Sequence, residues 1–342
     1  MMSELSDAEE AKPTNGFQDQ AGQLLQTYEP PLKNGGAVQQ NEELIPSEEG
    51  TEDDLRILKD KRDLMKKNIT LSRGIAIVLN SIIGTGIFIT PNRVTRGVGS
   101  PAASILFWLA GGLLAAAGGL TYAELGTTYP QSGGMIVYLK RIYPDIVGFL
   151  RCWLILYLVT SVAVAIGVQS LTRYLFAMLY EDPADVPVWM SKGLAVVVII
   201  CIVSLISLKP TLYVQTLAVI SWMKVSAVLV IIIAGLVHLA KGNTQNISQG
   251  FNGTNTDFWR WDGALSSIIW SYSGFANIGN IASEVQNPER NLPIIFLVTV
   301  PAVTALYTLT ILSYHIALPV HELINPIPVA SVFGQVTMGP FG

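Results

Sequence analysis

Two short stretches of the sequence combine glycine with hydroxyl side chains in the middle of apolar segments. The first is Gly84-Thr85-Gly86, and the second is Ser273-Gly274, which stands in a polar run from Trp270 to Asn280. Glycine lowers the cost of unwinding a helix and lets a ligand approach the main chain. Freed N–H groups at the start of a half-helix suit a carboxylate, and freed carbonyls suit an ammonium group. The two stretches therefore predict main-chain sites for these two groups.

The elements that must hold these stretches are membrane helices. The 342-residue chain is 50% hydrophobic and 13% charged, whereas a soluble chain usually carries about 25% charged residues. A membrane helix needs about 20 mostly apolar residues. About seven stretches qualify, near 74–96, 103–127, 146–178, 189–208, 214–239, 263–285 and 294–318. The sequence therefore predicts an all-α polytopic membrane protein with the two polar stretches in spans one and six.

Unwound backbone at membrane depth is tolerated only where it faces protein or a water-filled cavity. A pair of interrupted helices at matching places in two inverted repeats indicates a transporter site, and span six opens the second repeat if the first has five spans. The alternative is that these glycines only allow close helix packing. For Gly111, Ala115 and Gly119 in span two, packing is the favoured interpretation.

Three other polar side chain types lie inside predicted spans. Lys224, near the middle of span five, is a functional candidate because an intramembrane charge is costly. It either stands where a coupling cation could sit, titrates during transport, or snorkels to the interface. Asn277 and Asn280 either line a pocket or bond between helices. Trp270 either caps a ligand or packs against lipid or protein.

The first 70 residues differ from the remainder. Of the 25 acidic residues, 15 precede Leu64, and they account for most of the net charge of −4. We predict a disordered acidic cytosolic tail over 1–70 and a transmembrane domain, incomplete at its C-terminus, over 71–342. The chain has no basic patch with interleaved aromatics, which argues against nucleic acid as a partner. Cys152 and Cys201 lie in apolar stretches, which favours buried free thiols over a disulfide or a metal site.

The distribution of basic residues indicates the orientation. With a cytosolic N-terminus, 11 Lys and Arg residues near the spans lie inside and 5 lie outside, as the positive-inside rule requires. The loop between spans five and six carries glycosylation triplets that begin at Asn246 and Asn252, and this orientation places both outside. We expect a multi-pass protein of the plasma membrane.

Several motifs together resemble the amino acid–polyamine–organocation superfamily, and within it the L-type amino acid transporter family, most closely the fungal methionine permeases. The resemblance covers roughly residues 71 to 335. It rests on Gly84-Thr85-Gly86-Ile87-Phe88, Tyr122-Ala123-Glu124-Leu125-Gly126-Thr127-Thr128, Ser132-Gly133-Gly134, Ile269-Trp270-Ser271-Tyr272-Ser273-Gly274-Phe275-Ala276-Asn277 and Glu284-Val285-Gln286-Asn287-Pro288-Glu289-Arg290-Asn291-Leu292-Pro293.

The resemblance implies two inverted five-helix repeats plus two further helices, of which this chain holds about seven of an expected twelve spans. It implies a secondary transporter that moves neutral amino acids by alternating access. In such a transporter the main-chain N–H groups of Thr85 and Gly86 hold the substrate carboxylate, and Lys224 replaces a sodium ion. The carbonyls of Ile82, Trp270 and Ser273 receive the amino group, and Trp270 is also the gate over the substrate. Gly274 and Asn277 lie beside them in the second break and complete the substrate-binding set.

Two departures from the wider superfamily refine the expectation. The loop at 181–189 has no cysteine, so a disulfide-linked heavy chain, which animal L-type members carry, is not expected. Ala276 occupies a position that is a glutamate in acid-resistance antiporters, which disfavours a cationic substrate. The resemblance implies no cofactor. The alternative class is an amino acid sensor that binds without transport, which the long acidic tail motivates. An enzyme is disfavoured because no span carries paired carboxylates or a histidine cluster.

Overall fold

The computed structural model describes residues 68–129, 131, 133–177, 180, 186–325 and 328–339. The predicted tail lies outside the described residues as far as position 67. The α-helices are α1 (Leu71–Ile82), α2 (Gly86–Ile89), α3 (Pro91–Val98), α4 (Pro101–Thr128), α5 (Met135–Ile142), α6 (Asp145–Trp153), α7 (Thr160–Ala177), α8 (Val188–Leu208), α9 (Pro210–Ala240), α10 (Asp262–Tyr272), α11 (Pro288–Ala317), α12 (Val320–Leu323) and α13 (Val329–Met338).

In the part of the chain that the structure describes, six helical segments are long and apolar enough to cross a membrane, which confirms the all-α polytopic fold. They are Leu71–Ile89, Pro101–Thr128, Asp145–Phe176, Val188–Leu208, Gln215–Ala240 and Pro288–Ala317. The span predicted over 263–285 is not one continuous α-helix. It consists of the 11-residue α10 followed by a 12-residue 3-10 segment, Ser273–Glu284. The helix type therefore changes at the serine where the sequence predicts the second break.

The long helix α11 forms the centre of the described core. It packs against α4, α9 and α1, and one face of it is buried along most of its length. Small residues make these approaches possible. A Cβ on Gly111 of α4 would lie 2.1 Å from Ile268 of α10, and one on Gly119 would lie 3.0 Å from Phe296 of α11. The packing role predicted for the small residues of span two is confirmed.

Most of α6, α7 and α8 lies away from this core, although the Tyr174 hydroxyl of α7 donates to the Phe88 carbonyl of α2 at 2.9 Å. A π-helical turn, Leu154–Val159, joins α6 to α7, and none of the residues in that turn or in α8 is buried. Cys152 is half-buried and Cys201 is exposed, and both are free thiols. The prediction that they are buried is wrong, because α6 buries only Gly148 and α8 buries none of its residues in this structure.

The two broken spans are tied together at one end. Ile69, just before α1, pairs with Val285, just after the 3-10 segment. The Ile69 N–H donates to the Glu284 carbonyl at 2.9 Å, and the Gln286 N–H donates to the Ile69 carbonyl at 3.0 Å. At the other end, the loop before α10 contacts the end of α3, where the Asn255 N–H donates to the Val98 carbonyl at 2.8 Å. These contacts hold the two broken spans side by side.

Candidate functional site

The first break is an abrupt turn between α1 and α2. Ile83 has φ −72° and ψ 83°, which are close to the values of an inverse γ-turn. The Gly84 N–H accordingly donates back to the Ile82 carbonyl at 2.8 Å. Because α2 begins only at Gly86, the intervening backbone leaves the helical hydrogen-bond ladder, as the glycines of the sequence predict.

This turn leaves main-chain donors unpaired. Among the described residues, the N–H groups of Thr85, Gly86 and Ile87 donate no hydrogen bond. The first N–H groups of a helix point along its axis and favour negative charge. Thr85 is exposed, so a ligand can approach the N–H groups from the Thr85 side. The break therefore offers adjacent N–H donors suited to a carboxylate.

The second break lies at the junction of α10 with the 3-10 segment. The N–H of Ser273 donates to the Trp270 carbonyl, and its hydroxyl donates to the same oxygen at 2.8 Å. Ser273 and Asn277 are exposed, and Trp270 is half-buried. The polar side chains predicted from the sequence thus lie on an accessible surface of this break.

The two breaks pack against each other through their glycines. A Cβ on Gly274 would lie 2.0 Å from the Ser81 carbonyl oxygen, and one on Gly86 would lie 2.8 Å from the Ser271 Cα. Close packing, the alternative that the sequence leaves open, therefore accounts for glycine at both positions. Gly84 is different, since its Cβ would meet only the Ile82 carbonyl oxygen, at 3.8 Å.

A hydroxyl pair fastens the same contact. The Thr90 hydroxyl donates to the Gly86 carbonyl at 2.9 Å, and it lies 2.9 Å from the hydroxyl of Ser271. The Ser271 hydroxyl also donates to the Ser267 carbonyl at 2.8 Å. Thr90 and Ser271 are both buried, and their two protons serve three contacts, so one hydroxyl donates to the other only when it turns away from its own carbonyl.

The sequence interpretation missed Tyr307 of α11. This side chain is fully buried, and its hydroxyl lies 2.8 Å from the Ile82 carbonyl and 3.4 Å from the Ser271 carbonyl, so it touches both broken spans. Its ring packs against Trp108 and Tyr272, with ring centroids 5.5 and 5.1 Å away. A buried tyrosine hydroxyl usually has a partner, which is the one signal that could have drawn attention to this position.

Lys224 of α9 reaches the first break from the side. Its Nζ donates to the Ile83 carbonyl at 2.8 Å and to the Asn80 carbonyl at 3.3 Å. These oxygens belong to the end of α1, where helical carbonyls lack partners. The ammonium group therefore points toward the end of α1, which argues against the snorkelling alternative.

The two glycosylation triplets differ in the structure. The side-chain amide of Asn246 donates to the Ile316 carbonyl at 3.2 Å, and the residue is half-buried. Asn252 is exposed at the surface of the same loop. Only Asn252 presents an amide nitrogen without a competing hydrogen bond among the described residues.

Most of the predicted site residues thus lie at the contact between the two breaks, and the others lie next to it. The structure brings Ile82, Thr85, Gly86, Gly274 and Lys224 together at the contact between the two breaks. Trp270 and Ser273 adjoin that contact on α10 and at the start of the 3-10 segment, and Asn277 lies one turn further along.

This architecture defines a multi-pass α-helical membrane protein in which the first membrane span and the segment formed by α10 and the 3-10 helix are interrupted at a shared contact. Comparison with known sequences is more specific. The chain belongs to the amino acid permease family, whose model matches residues 69–342.

Similar proteins are amino acid transporters. The b(0,+)-type amino acid transporter 1 of Homo sapiens is 34% identical over 282 residues, covering 82% of this chain and 57% of that protein. The cystine/glutamate transporter of Homo sapiens is 31% identical over 277 residues, covering 81% and 55%. The large neutral amino acids transporter small subunit 2 of Mus musculus is 30% identical over 285 residues, covering 80% and 52%. The chain spans little more than half the length of these relatives.

Proposed function

We propose that this protein is a secondary active transporter of neutral L-amino acids, with methionine as the leading candidate, and that it works by alternating access. The observation that carries the proposal is the set of unpaired N–H groups at Thr85 and Gly86, placed where the two broken spans meet. Broken helices that meet in this way are the usual binding site of transporters built from inverted repeats.

The main chain of the two breaks supplies both N–H donors and carbonyl acceptors. The N–H groups of the first break suit the carboxylate of an amino acid. The carbonyls of Ile82, Trp270 and Ser273 suit its ammonium group. Trp270 is half-buried near the end of α10, and we assign to it the role of covering the bound substrate.

The charges around the site favour a neutral side chain. The sequence from 74 to 92 and from 263 to 283 contains no Asp, Glu, Lys or Arg, and position 276 is alanine. The described charged group that reaches the first break is the ammonium of Lys224. A substrate with a cationic side chain would find no carboxylate there, and burying an unpaired charge is costly. The printed names of the relatives span cystine, glutamate and large neutral amino acids, so they do not decide the substrate.

Lys224 supports a sodium-independent cycle. Its ammonium binds carbonyls at the end of α1, and carbonyls at an unwound helix end are the groups that coordinate sodium in transporters of this kind. A fixed ammonium group in that position supplies the positive charge that a bound sodium ion would otherwise supply. Substrate movement would then be coupled to protons or to exchange with a second amino acid.

We extend the proposal to the surroundings of the site. Residues 1–70 form a cytosolic tail, residues 71–342 belong to the transmembrane domain, and the N-terminus lies inside. The basic residues near the spans support this orientation. We assign the protein to the plasma membrane. We also propose that it has no disulfide-linked heavy chain, because the loop at 181–189 contains no cysteine.

Uptake of radiolabelled neutral amino acids by the complete gene product, expressed in a permease-deficient cell, tests the proposal. We expect stimulated, saturable uptake of methionine or another neutral amino acid, unchanged when sodium is replaced by choline. No stimulation by any neutral amino acid would refute the proposal. Saturable binding without flux or exchange in liposomes would identify a sensor instead. Loss of uptake when the proton gradient is collapsed at constant internal amino acid would distinguish symport from exchange.

A further inference from the structure

We propose that Tyr307 is a positioning residue whose hydroxyl holds the Ile82 carbonyl in place of the substrate's ammonium group and is displaced when the amino acid binds. This inference rests on the proposed function, because Ile82 supplies one of the carbonyls assigned to the ammonium. It assigns a new role to a residue of α11, which lies outside both broken spans.

The Ile82 carbonyl has no capacity left for a third donor. A carbonyl oxygen has two lone pairs. The Gly84 N–H and the Tyr307 hydroxyl each donate to this oxygen at 2.8 Å. An ammonium group can bind there only if one of the two donors leaves.

Tyr307 is the donor that can leave. The Gly84 N–H belongs to the turn at Ile83, so releasing it means unfolding the turn itself. The Tyr307 hydroxyl has a second acceptor nearby, since the Ser271 carbonyl lies 3.4 Å away on the other broken span. Rotation about the C–O bond would turn its proton from one break to the other. The hydroxyl would remain hydrogen-bonded in a fully buried position.

The arrangement makes a specific and unusual prediction about affinity. A substrate that must displace a hydrogen bond binds more weakly than one that meets a free carbonyl. Tyr307→Phe removes the hydroxyl and keeps the ring against Trp108 and Tyr272. We therefore expect Tyr307→Phe to bind the amino acid more tightly, with the Kd lowered about two- to tenfold, the weight of one net hydrogen bond.

The same helix offers a matched control. Tyr314 lies two turns further along α11 and is equally buried, but its hydroxyl has no hydrogen-bond partner among the described residues. Tyr314→Phe removes the same atom from the same helix without freeing a carbonyl. It should leave the Kd unchanged.

The experiment measures binding of radiolabelled methionine to the purified complete gene product, and competition by the carboxylic acid that lacks methionine's amino group. We expect Tyr307→Phe to lower the Kd for methionine and to leave the affinity for the amine-free acid unchanged. A purely structural role would change both ligands alike. An unchanged or raised Kd for methionine, or equal effects on both ligands, would overturn the role of Tyr307.

Two further results separate the inference from the proposed function. If the wild-type protein binds no neutral amino acid, the proposed function fails and this inference fails with it. If the wild type binds but Tyr307→Phe behaves as wild type, only the inference fails. If Tyr307→Phe does not fold, a ring-fluorinated tyrosine incorporated at 307 keeps the size of the side chain and strengthens the donor. It should raise the Kd for methionine, and a lowered or unchanged Kd would refute the displacement.

Discussion

The contact between the two broken spans can be tested by adding a single methyl group at Gly274. The Cβ of Gly274→Ala would lie 2.0 Å from the Ser81 carbonyl oxygen, 2.4 Å from its carbon and 2.7 Å from the Ile82 nitrogen. Real Cβ atoms do not approach heavy atoms closer than 3.0 Å. The 3-10 segment and α1 must therefore separate locally by about 1 Å or more, because extra volume in a packed core moves the backbone.

The cost of that separation is substantial because all three obstructing atoms are backbone. Inserting a methylene into a well-packed core costs about 1–3 kcal/mol when side chains can adjust, and here no side-chain rotation relieves the clash. The hydrogen bonds of Tyr307 and the Thr90–Ser271 pair also hold the two spans in place. We expect Gly274→Ala to lower the free energy of unfolding by at least this amount, about 1–3 kcal/mol.

Gly84→Ala is the control, since it adds the same methyl group to the same pair of breaks. Its Cβ would meet only the Ile82 carbonyl oxygen, at 3.8 Å, and Gly84 is not among the residues with positive φ. We expect its stability to remain within about 0.5 kcal/mol of wild type.

The assay is thermal unfolding of the purified complete gene product in detergent, together with its level in the membrane fraction. Gly274→Ala should unfold at a clearly lower temperature, and Gly84→Ala should unfold near wild type. A Gly274→Ala protein as stable as wild type would refute the packing of the two breaks, and so would an equal loss in Gly84→Ala.

Two other substitutions test single contacts. Lys224→Met removes the ammonium group that donates to the carbonyls of Asn80 and Ile83. We expect it to abolish uptake and to cost about 1–3 kcal/mol of stability, measured by transport and thermal unfolding. Normal uptake would remove Lys224 from the coupling site. Asn252→Gln should eliminate an N-glycan, which would be seen as loss of the glycosidase-sensitive gel shift, whereas Asn246→Gln should keep the glycan. The opposite pattern would contradict the hydrogen bond from Asn246 to Ile316.

The two breaks could be predicted because their signals are local. Gly84 and Gly86 flank a threonine inside an apolar span, and the structure ends α1 at Ile82 and begins α2 at Gly86. Ser273 begins the 3-10 segment that replaces the expected continuous helix. In each case the residue types that favour unwinding stand where the helix changes, so pattern alone located the change.

Other features left no local mark in the sequence. The π-helical turn Leu154–Val159 contains neither glycine nor proline, and its uniformly apolar residues are the same as those of an ordinary membrane helix. The hydrogen bond between Tyr307 and Ile82 joins positions 225 residues apart. The pair Thr90 and Ser271 is separated by 181 residues. Such pairings depend on how helices cross, which hydropathy does not encode.

The assignment of Gly86 and Gly274 shows how one residue type can satisfy two requirements. Both glycines bring the broken spans into contact, so a large substituent at either position would impair packing before it impaired ligand binding. A test of binding by bulky substitution there cannot separate the two effects. Gly84, with open space beside it, is the better position from which to probe the ligand.

The polar groups of the two breaks are not equivalent in this arrangement. The N–H groups of Thr85 and Gly86 are unpaired among the described residues, whereas the carbonyls of Ile82 and Trp270 each accept two hydrogen bonds from the protein itself. A zwitterion that follows this asymmetry would bind its carboxylate first, because that step displaces no protein donor. Its ammonium group would then compete with Tyr307 at the Ile82 carbonyl and with the Ser273 hydroxyl at the Trp270 carbonyl. It would do so from a fixed position, where the effective concentration is high. In the proposed alternating-access cycle, substrate recognition and loosening of the link between the two spans would thereby become one event.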